Sequence, residues 1–289
     1  MDARVGKPLL YLLPALLIYV FVIVVPSAYS LYLSLFRWNG VSPDKQFVGF
    51  GNYVELVTND AVFLIALKNN FLWVLGSLAI TTSVSLMLAI MLNRRFRGRV
   101  LFRGIFYFPF ILSGIVVSLM WSWLYHPTMG FFNDVLASAG MRPLDWLADP
   151  QMALASVFVA SLWHSVGAPM VLFLAGLQAI PSDPYESAKV EGANAFQSFV
   201  YITVPLLRET FVVVFATTLI GAMKVFDIIY AMTGGGPAQK TQVLASWMYF
   251  QTFQFNNIGM GTALSWVLVV VVMTITVPYV LHMSKHSHA

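Results

Sequence analysis

Long apolar runs separated by short polar segments dominate this sequence. Several exceed the ~18 uncharged residues that mark a transmembrane helix, among them Leu9–Leu35, Phe71–Leu92 and Ile258–Leu281. A soluble fold would have to pack all of these runs into one core and still cover its surface with polar groups. Charge is too scarce for that: 10% of the 289 residues are charged and 59% are hydrophobic, whereas an ordinary soluble domain is about 25% charged. Insertion into a bilayer fits instead. In lipid every backbone N–H and C=O must be satisfied within its own segment, so the runs are expected to be helices. The expected fold is all-α and integral to the membrane, with six transmembrane helices at about 9–35, 71–92, 105–125, 152–177, 211–229 and 258–281. The fifth is the weakest.

Pro14, Pro26, Pro109, Pro169 and Pro278 fall inside these spans and predict local kinks. Arg4 and Lys7 precede the first run, as in a cleaved signal peptide. However, the run is longer than the ~7–15 residues of a signal core, and no convincing small-residue cleavage pattern follows. An uncleaved first helix is expected.

Orientation follows from Lys and Arg in the short loops. Arg94, Arg95, Arg97, Arg99 and Arg103 crowd between the second and third spans, which places that loop in the cytoplasm; a dedicated partner site there is the lesser reading. Counting outward, both termini, with Arg4, Lys7 and Lys285, and the loop near Lys189 are cytoplasmic too. Loops at about 36–70, 126–151 and 230–257 face outward. Trp38, Tyr53, Trp123, Trp146, Trp247 and Tyr249 near the span edges suit the interfacial belt, where an amphipathic ring lies between lipid and water. Topology thus accounts for the excess of 16 Lys and Arg over 12 Asp and Glu, and no nucleic-acid partner is implied. Cysteine is absent, which excludes disulfides, thiolate metal sites, a Cys nucleophile and a sulfur-linked lipid anchor. No repeat or flexible linker divides residues 1–289, so one membrane domain is expected.

Between the fourth and fifth spans, residues 181–207 are too polar for the bilayer and too patterned for a plain loop. Two short helices are predicted. Ser182 fits an N-cap with Pro184 in the first turn, Tyr185 to Glu191 fit the helix, and Gly192 supplies a left-handed stop. Asn194 and Gln197 offer a second capping pair, opening a helix expected to end before Pro205. Ser187 and Ala188 are small enough for another protein to approach the backbone, and Glu186 and Lys189 are i, i+3 neighbours. These features fit a docking knob and a solvated hairpin equally well.

Other candidate chemistry is sparse. The stretch from Gly234 to Thr241 superficially matches a phosphate-binding loop, but Gln239 replaces the second glycine and Pro237 lacks a backbone donor. A turn after the fifth span is expected there, and no nucleotide or other cofactor on this chain. Lys224 and Asp227 stand at i, i+3 near the outer end of the fifth span, either as an intrahelical pair snorkelling to the interface or lining a solute path. His164 in the fourth span, and Asn69 and Asn70 at the start of the second, are polar groups that fit helix packing better than a relay. No catalytic constellation or metal-ligand spacing emerges, so the chain is not expected to be an enzyme.

The insertion carries a family resemblance. Glu186, Ser187 and Ala188, three residues, Gly192, nine residues, then Ile202, Thr203, Val204 and Pro205 reproduce the spacing of the cytoplasmic EAA loop of ABC importer permeases. Ser187 and Val204 depart from that pattern conservatively, and Glu191 stands where many members have Asp. The stretches at 47–57, 120–133 and 226–241 are similar to phrases of the same family, and "TGGGP" resembles its maltose-type branch of sugar and glycerol-phosphate permeases. This resemblance implies a subunit of an ATP-driven importer in the bacterial cytoplasmic membrane, docked through an EAA coupling helix-turn-helix. Its implied partners are a homologous second permease forming a heterodimer, two cytoplasmic ATPases that bind ATP and Mg, and an extracytoplasmic solute-binding protein. Tyr185, Glu186, Ser187, Ala188, Glu191, Gly192 and Pro205 would form the coupling surface. Lys224, Asp227, His164 and Asn70 are the candidates for the solute path. A glycerol-phosphate permease of the same branch is the near alternative, and an ion-gradient-driven secondary transporter the distant one, for which Asp227 is thin support.

Overall fold

Helices account for most of residues 6–285, the part of the chain described by the computed structural model. Arg4 lies outside the described residues, as do the side chains of Lys7 and Lys285. In chain order, α1 includes Tyr11–Leu33, α2 is Gly51–Thr58 and α3 is Ala61–Asn93. Then come α4 (Arg99–Ile111), α5 (Gly114–Leu124), α6 (Phe131–Ser138), α7 (Ala153–Ser165) and α8 (Gly167–Ala179). The polar insertion holds α9 (Asp183–Val190) and α10 (Ala195–Leu206), followed by α11 (Arg208–Met223) and α12 (Asp227–Thr233). Last are α13 (Leu244–Tyr249) and α14 (Ile258–Lys285). Three helices, α1, α3 and α14, are each long and apolar enough to cross a bilayer, and six crossings result if each of three bent pairs is one span.

The bends correct the expected spans. Residues 105–125 are not one kinked helix: α4 and α5 meet at 101° across Leu112 and Ser113, both extended. Pro109 removes one intrahelical donor, and the break falls three residues beyond it. At Val166 the bend between α7 and α8 is 44°, just before Pro169. The fifth span does not run from 211 to 229. Its helix starts at Arg208 and stops at Met223, and α12 begins separately at Asp227. The helix that carries the second span starts ten residues before Phe71, because Asp60 Oδ1 accepts from the N–H groups of Val62 and Phe63 at 2.9 Å and opens the helix there. Nor is the fold wholly α: Phe36–Arg37 and Gln46–Phe47 pair as a two-stranded antiparallel ribbon.

The chain divides into two compact units, one of Met1–Phe63 with Trp247–Val269 and the other of Leu64–Ser246 with Val270–Ala289. In the first, Asn52 donates to the carbonyls of Ser34 and Phe36, and Trp247 Nε1 donates to Asp60 Oδ2 at 2.7 Å. Leu56, Ala263 and Leu264 are fully buried there. In the second, α3, α5, α7, α11 and α12 surround a core that includes Trp73, Val117, Val157, Leu219 and Ile229. A further cluster packs α3 against α8 and α11 through Ala89, Met170, Phe173 and Val214.

Candidate functional site

The insertion folds as a closed hairpin. Pro184 sits in the first turn of α9, where its missing N–H costs nothing. Ser182 does not cap with its side chain, contrary to expectation. Its hydroxyl turns to Asp183 Oδ1, while its carbonyl receives the N–H groups of Tyr185 and Glu186. At the other end Gly192 adopts φ +83°, its N–H donates to Lys189 O, and the Ala193 N–H donates to Ala188 O. That is the Schellman closure, and only a residue without a Cβ takes the left-handed position without strain. Asn194 and Gln197 form the expected reciprocal capping box, at 2.9 and 2.8 Å.

Beyond the box, α10 does not stop before Pro205. A π-helical turn over Phe199–Thr203 widens the backbone ahead of the proline, and the helix continues to Leu206. Tyr185 OH meets Thr203 Oγ1 at 2.9 Å and ties the two helices together. Glu186, Ser187, Glu191, Gly192 and Pro205 are exposed, while Ala188 is half-buried. Glu186 and Lys189 form no ion pair; among the described residues the ion pair is Arg37–Glu55.

Between the arms lies a cleft of about 460 Å³, lined in part by Ser187, Ala188, Gly192, Tyr201 and Ile202. Val190 is 90% exposed, Tyr201 77% and Phe196 74%. With Val200 and Leu206 they make five exposed large apolar side chains on the hairpin, a surface suited to a protein partner. Sequence reasoning passed over them, although apolar residues in a polar segment are a readable signal.

The second site lies among the membrane helices and also escaped the sequence. A cavity of about 460 Å³ is lined by Trp73, Ser77 and Thr81 of α3, Phe110 of α4, Ser161 and Ser165 of α7, and Thr217 and Thr218 of α11. The wall from α3 is a π-helical turn, Ser77–Thr81. Two aromatic and six hydroxyl-bearing residues from four helices thus line it, Trp73, Ser77 and Thr81 almost wholly buried, and none of the lining residues is charged. Thr218 Oγ1 is buried without a hydrogen-bond partner. A buried hydroxyl is ordinarily satisfied, and with no accessible surface this one meets a solute or a water only if the cavity wall shifts.

None of the residues singled out as path candidates lines this cavity. Lys224 and Asp227 are exposed and are not an intrahelical pair, because the helix ends between them; no ion pair joins them. Asn70 is buried: its amide donates to Met223 O and accepts from the Leu244 N–H, clamping separate segments to α3. Asn69 likewise donates to Lys240 O and Gln242 O, holding the turn that follows α12. His164 Nε2 lies 3.1 Å from Leu112 O, a carbonyl freed by the sharp bend between α4 and α5. All three polar residues thus meet backbone groups of other segments, as in polar helix packing.

Residues 81–283 match the family described as "Binding-protein-dependent transport system inner membrane component". The chain belongs to that family. Its full length resembles that of other members: it is 36% identical over 273 residues to the probable ABC transporter permease YurN of Bacillus subtilis, covering 93% of each chain. It is 34% identical over 279 residues to the trehalose/maltose transport system permease MalF of Thermococcus litoralis, covering 96% of this chain and 93% of that one. In three dimensions it resembles a chain of a bacterial ABC transporter involved in importing the acidic polysaccharide alginate, with a TM-score of 0.84 and 24% identity over 98% of this chain and 96% of that one. That likeness shows the fold. As an ABC importer permease the protein is a multi-pass inner-membrane transport component working with a solute-binding protein. Within the family match lie both the hairpin and most of the cavity wall.

Proposed function

We propose that this permease carries a neutral sugar or oligosaccharide through the hydroxyl-lined cavity and takes its driving force from ATPase subunits docked on the α9–α10 hairpin. The observation that carries the substrate class is the cavity itself. Hydroxyl-bearing side chains from α3, α7 and α11 line it and can exchange hydrogen bonds with sugar hydroxyls, while the exposed ring of Phe110 offers an apolar face to a sugar ring. No lining side chain is cationic, so glycerol phosphate would meet no counter-charge from this chain; none is a carboxylate, as coupling to an ion gradient would require. The trehalose/maltose permease among its relatives supports the same class.

In this reading α4–α5 and α7–α8 are each one bent crossing and α11 alone is another, making six with α1, α3 and α14 while α10 stays outside the bilayer; the Arg94–Arg103 cluster faces the cytoplasm, and both termini lie there. A homologous second permease completes the pathway, and two ATPases hydrolyse ATP with Mg. Glu186 to Gly192 is the docking knob, and Asn194 to Pro205 is its buttress. ATP shifts the access state only if the two states differ in their contacts with the ATPases. A hairpin closed at both turns transmits such a difference as one body.

The chain's lack of cysteine provides the test. Ser187→Cys in the complex should cross-link to single cysteines placed along the ATPase cleft, and ATP should alter the yield. Absence of cross-linking across several cleft positions, in a complex that still transports, would overturn the docking assignment.

A further inference from the structure

A third cavity, of about 880 Å³, lies in the second unit between α3, α11 and the later part of α14. Its walls are almost wholly apolar, as Phe71, Leu75, Leu219 and Val271 illustrate, and the charged group on its lining is Lys68. Lys68 is exposed and makes no ion pair. An apolar groove with one unpaired cation at an end has the polarity of a phospholipid reversed into a binding site.

The dimensions agree. From Lys68 the groove follows α3 down to Ala79, about 16 Å at 1.5 Å per residue. One leaflet of a hydrocarbon core ~30 Å thick is about 15 Å deep. Arg94, where α3 ends, is about 39 Å from Lys68 along the same helix. A bilayer with its headgroups is ~40–45 Å thick, so these two cations stand at opposite headgroup layers. Lys68 then lies on the outer side, with the groove running from it toward the midplane.

We propose that this groove is a binding site for a glycerophospholipid of the outer leaflet, its phosphate on Lys68 Nζ and an acyl chain laid along α3 toward Ala79. A transmembrane helix of a partner is the competing occupant. It fits less well, because an apolar helix fills the groove but offers Lys68 no anion, whereas a phospholipid supplies phosphate and acyl chain together. Bound there, the lipid would fill the space between α3 and α11, both of which also wall the solute cavity.

The test uses the complex as it purifies, reconstituted in phosphatidylcholine nanodiscs with a trace of phosphatidylglycerol carrying a diazirine at the end of one acyl chain. After illumination, peptide mass spectrometry should find label on residues 71–79 and 271–279. Lys68→Ala should lower that label about fivefold, since one cation at the headgroup layer contributes about that factor. Leu75→Trp, which fills the groove, should lower it as well, and Arg97→Ala should leave it unchanged. Label that ignores both Lys68→Ala and Leu75→Trp would overturn the proposal. So would an unlabelled groove, or one where Leu75→Cys cross-links to a helix of another subunit.

Discussion

The hairpin and the hydroxyl-lined cavity are held together in opposite ways. Closure of the hairpin is local: Ala193 bonds Ala188, Gly192 bonds Lys189, and Asn194 and Gln197 bond each other. Only the Tyr185–Thr203 contact reaches further. The cavity depends on distant segments. Ser85 Oγ donates to Val166 O across 81 positions of sequence, and α4 packs its backbone directly on α8 at Gly167. A locally closed element keeps its shape when a partner pushes on it. A cavity made where separate helices meet changes shape as soon as those helices shift. A coupled importer needs both properties, a stiff handle and a deformable chamber, and in this chain they rest on different kinds of bond.

Breaking a non-local contact should therefore have the largest effect. A Cβ on Gly167 would stand 2.6 Å from Phe106 O and 2.8 Å from Tyr107 Cα, both backbone atoms that cannot swing aside. Gly167→Val should force α4 away from α8 and cost about 3 kcal/mol, at the upper end of overpacking penalties. Its measure is the thermal midpoint of the detergent-purified protein beside Gly104→Val, since nothing lies within 4 Å of a Cβ on Gly104. Equal midpoints would mean that the approach of α4 to α8 is not a structural constraint.

A break in the hairpin should be milder in stability and sharper in function. Nothing lies within 4 Å of a Cβ on Gly192, so a side chain there meets no neighbour and the penalty is the left-handed backbone alone. Gly192→Val should cost about 1–2 kcal/mol locally and loosen the Schellman closure. Its effect should fall on the stimulation of ATP hydrolysis by loaded binding protein, with binding-protein docking on the outer face unchanged. A variant that retains full stimulation would show that the handle need not be stiff.

The same division explains what the sequence revealed. Gly192, Asn194 and Gln197 lie within a few residues of the groups they bond, so spacing alone predicts their roles; Ser182 failed because its backbone is helical (φ −74°, ψ −30°) rather than extended, which leaves its hydroxyl to Asp183. Apolar runs placed the membrane helices for an equally local reason. Their breaks were less legible: Leu112 and Ser113 carry no breaking signal themselves, and the 101° turn also depends on His164 meeting the freed carbonyl from another helix. The polar residues at 68–70 read as the edge of a span, yet Asn69 and Asn70 are satisfied by backbone groups more than 150 positions away, so α3 runs straight through them. Ser77, Ser161 and Thr218 look like ordinary small polar residues until the fold brings them to one cavity.

The smallest effect is expected inside the cavity, where it discriminates best. Thr218→Val keeps the shape of the side chain and removes only the hydroxyl, which has no partner within the protein. Removing an unsatisfied buried hydroxyl is neutral or stabilising, because the cost of desolvating it disappears. If that hydroxyl meets the solute, the same change forfeits one hydrogen bond to it. The apparent KM for uptake in proteoliposomes should then rise about threefold to tenfold, while the thermal midpoint holds or increases. These two readouts move in opposite senses only for a group that serves the ligand. An unchanged KM with a lower midpoint would make Thr218 a packing residue and remove the cavity's most direct claim to the solute.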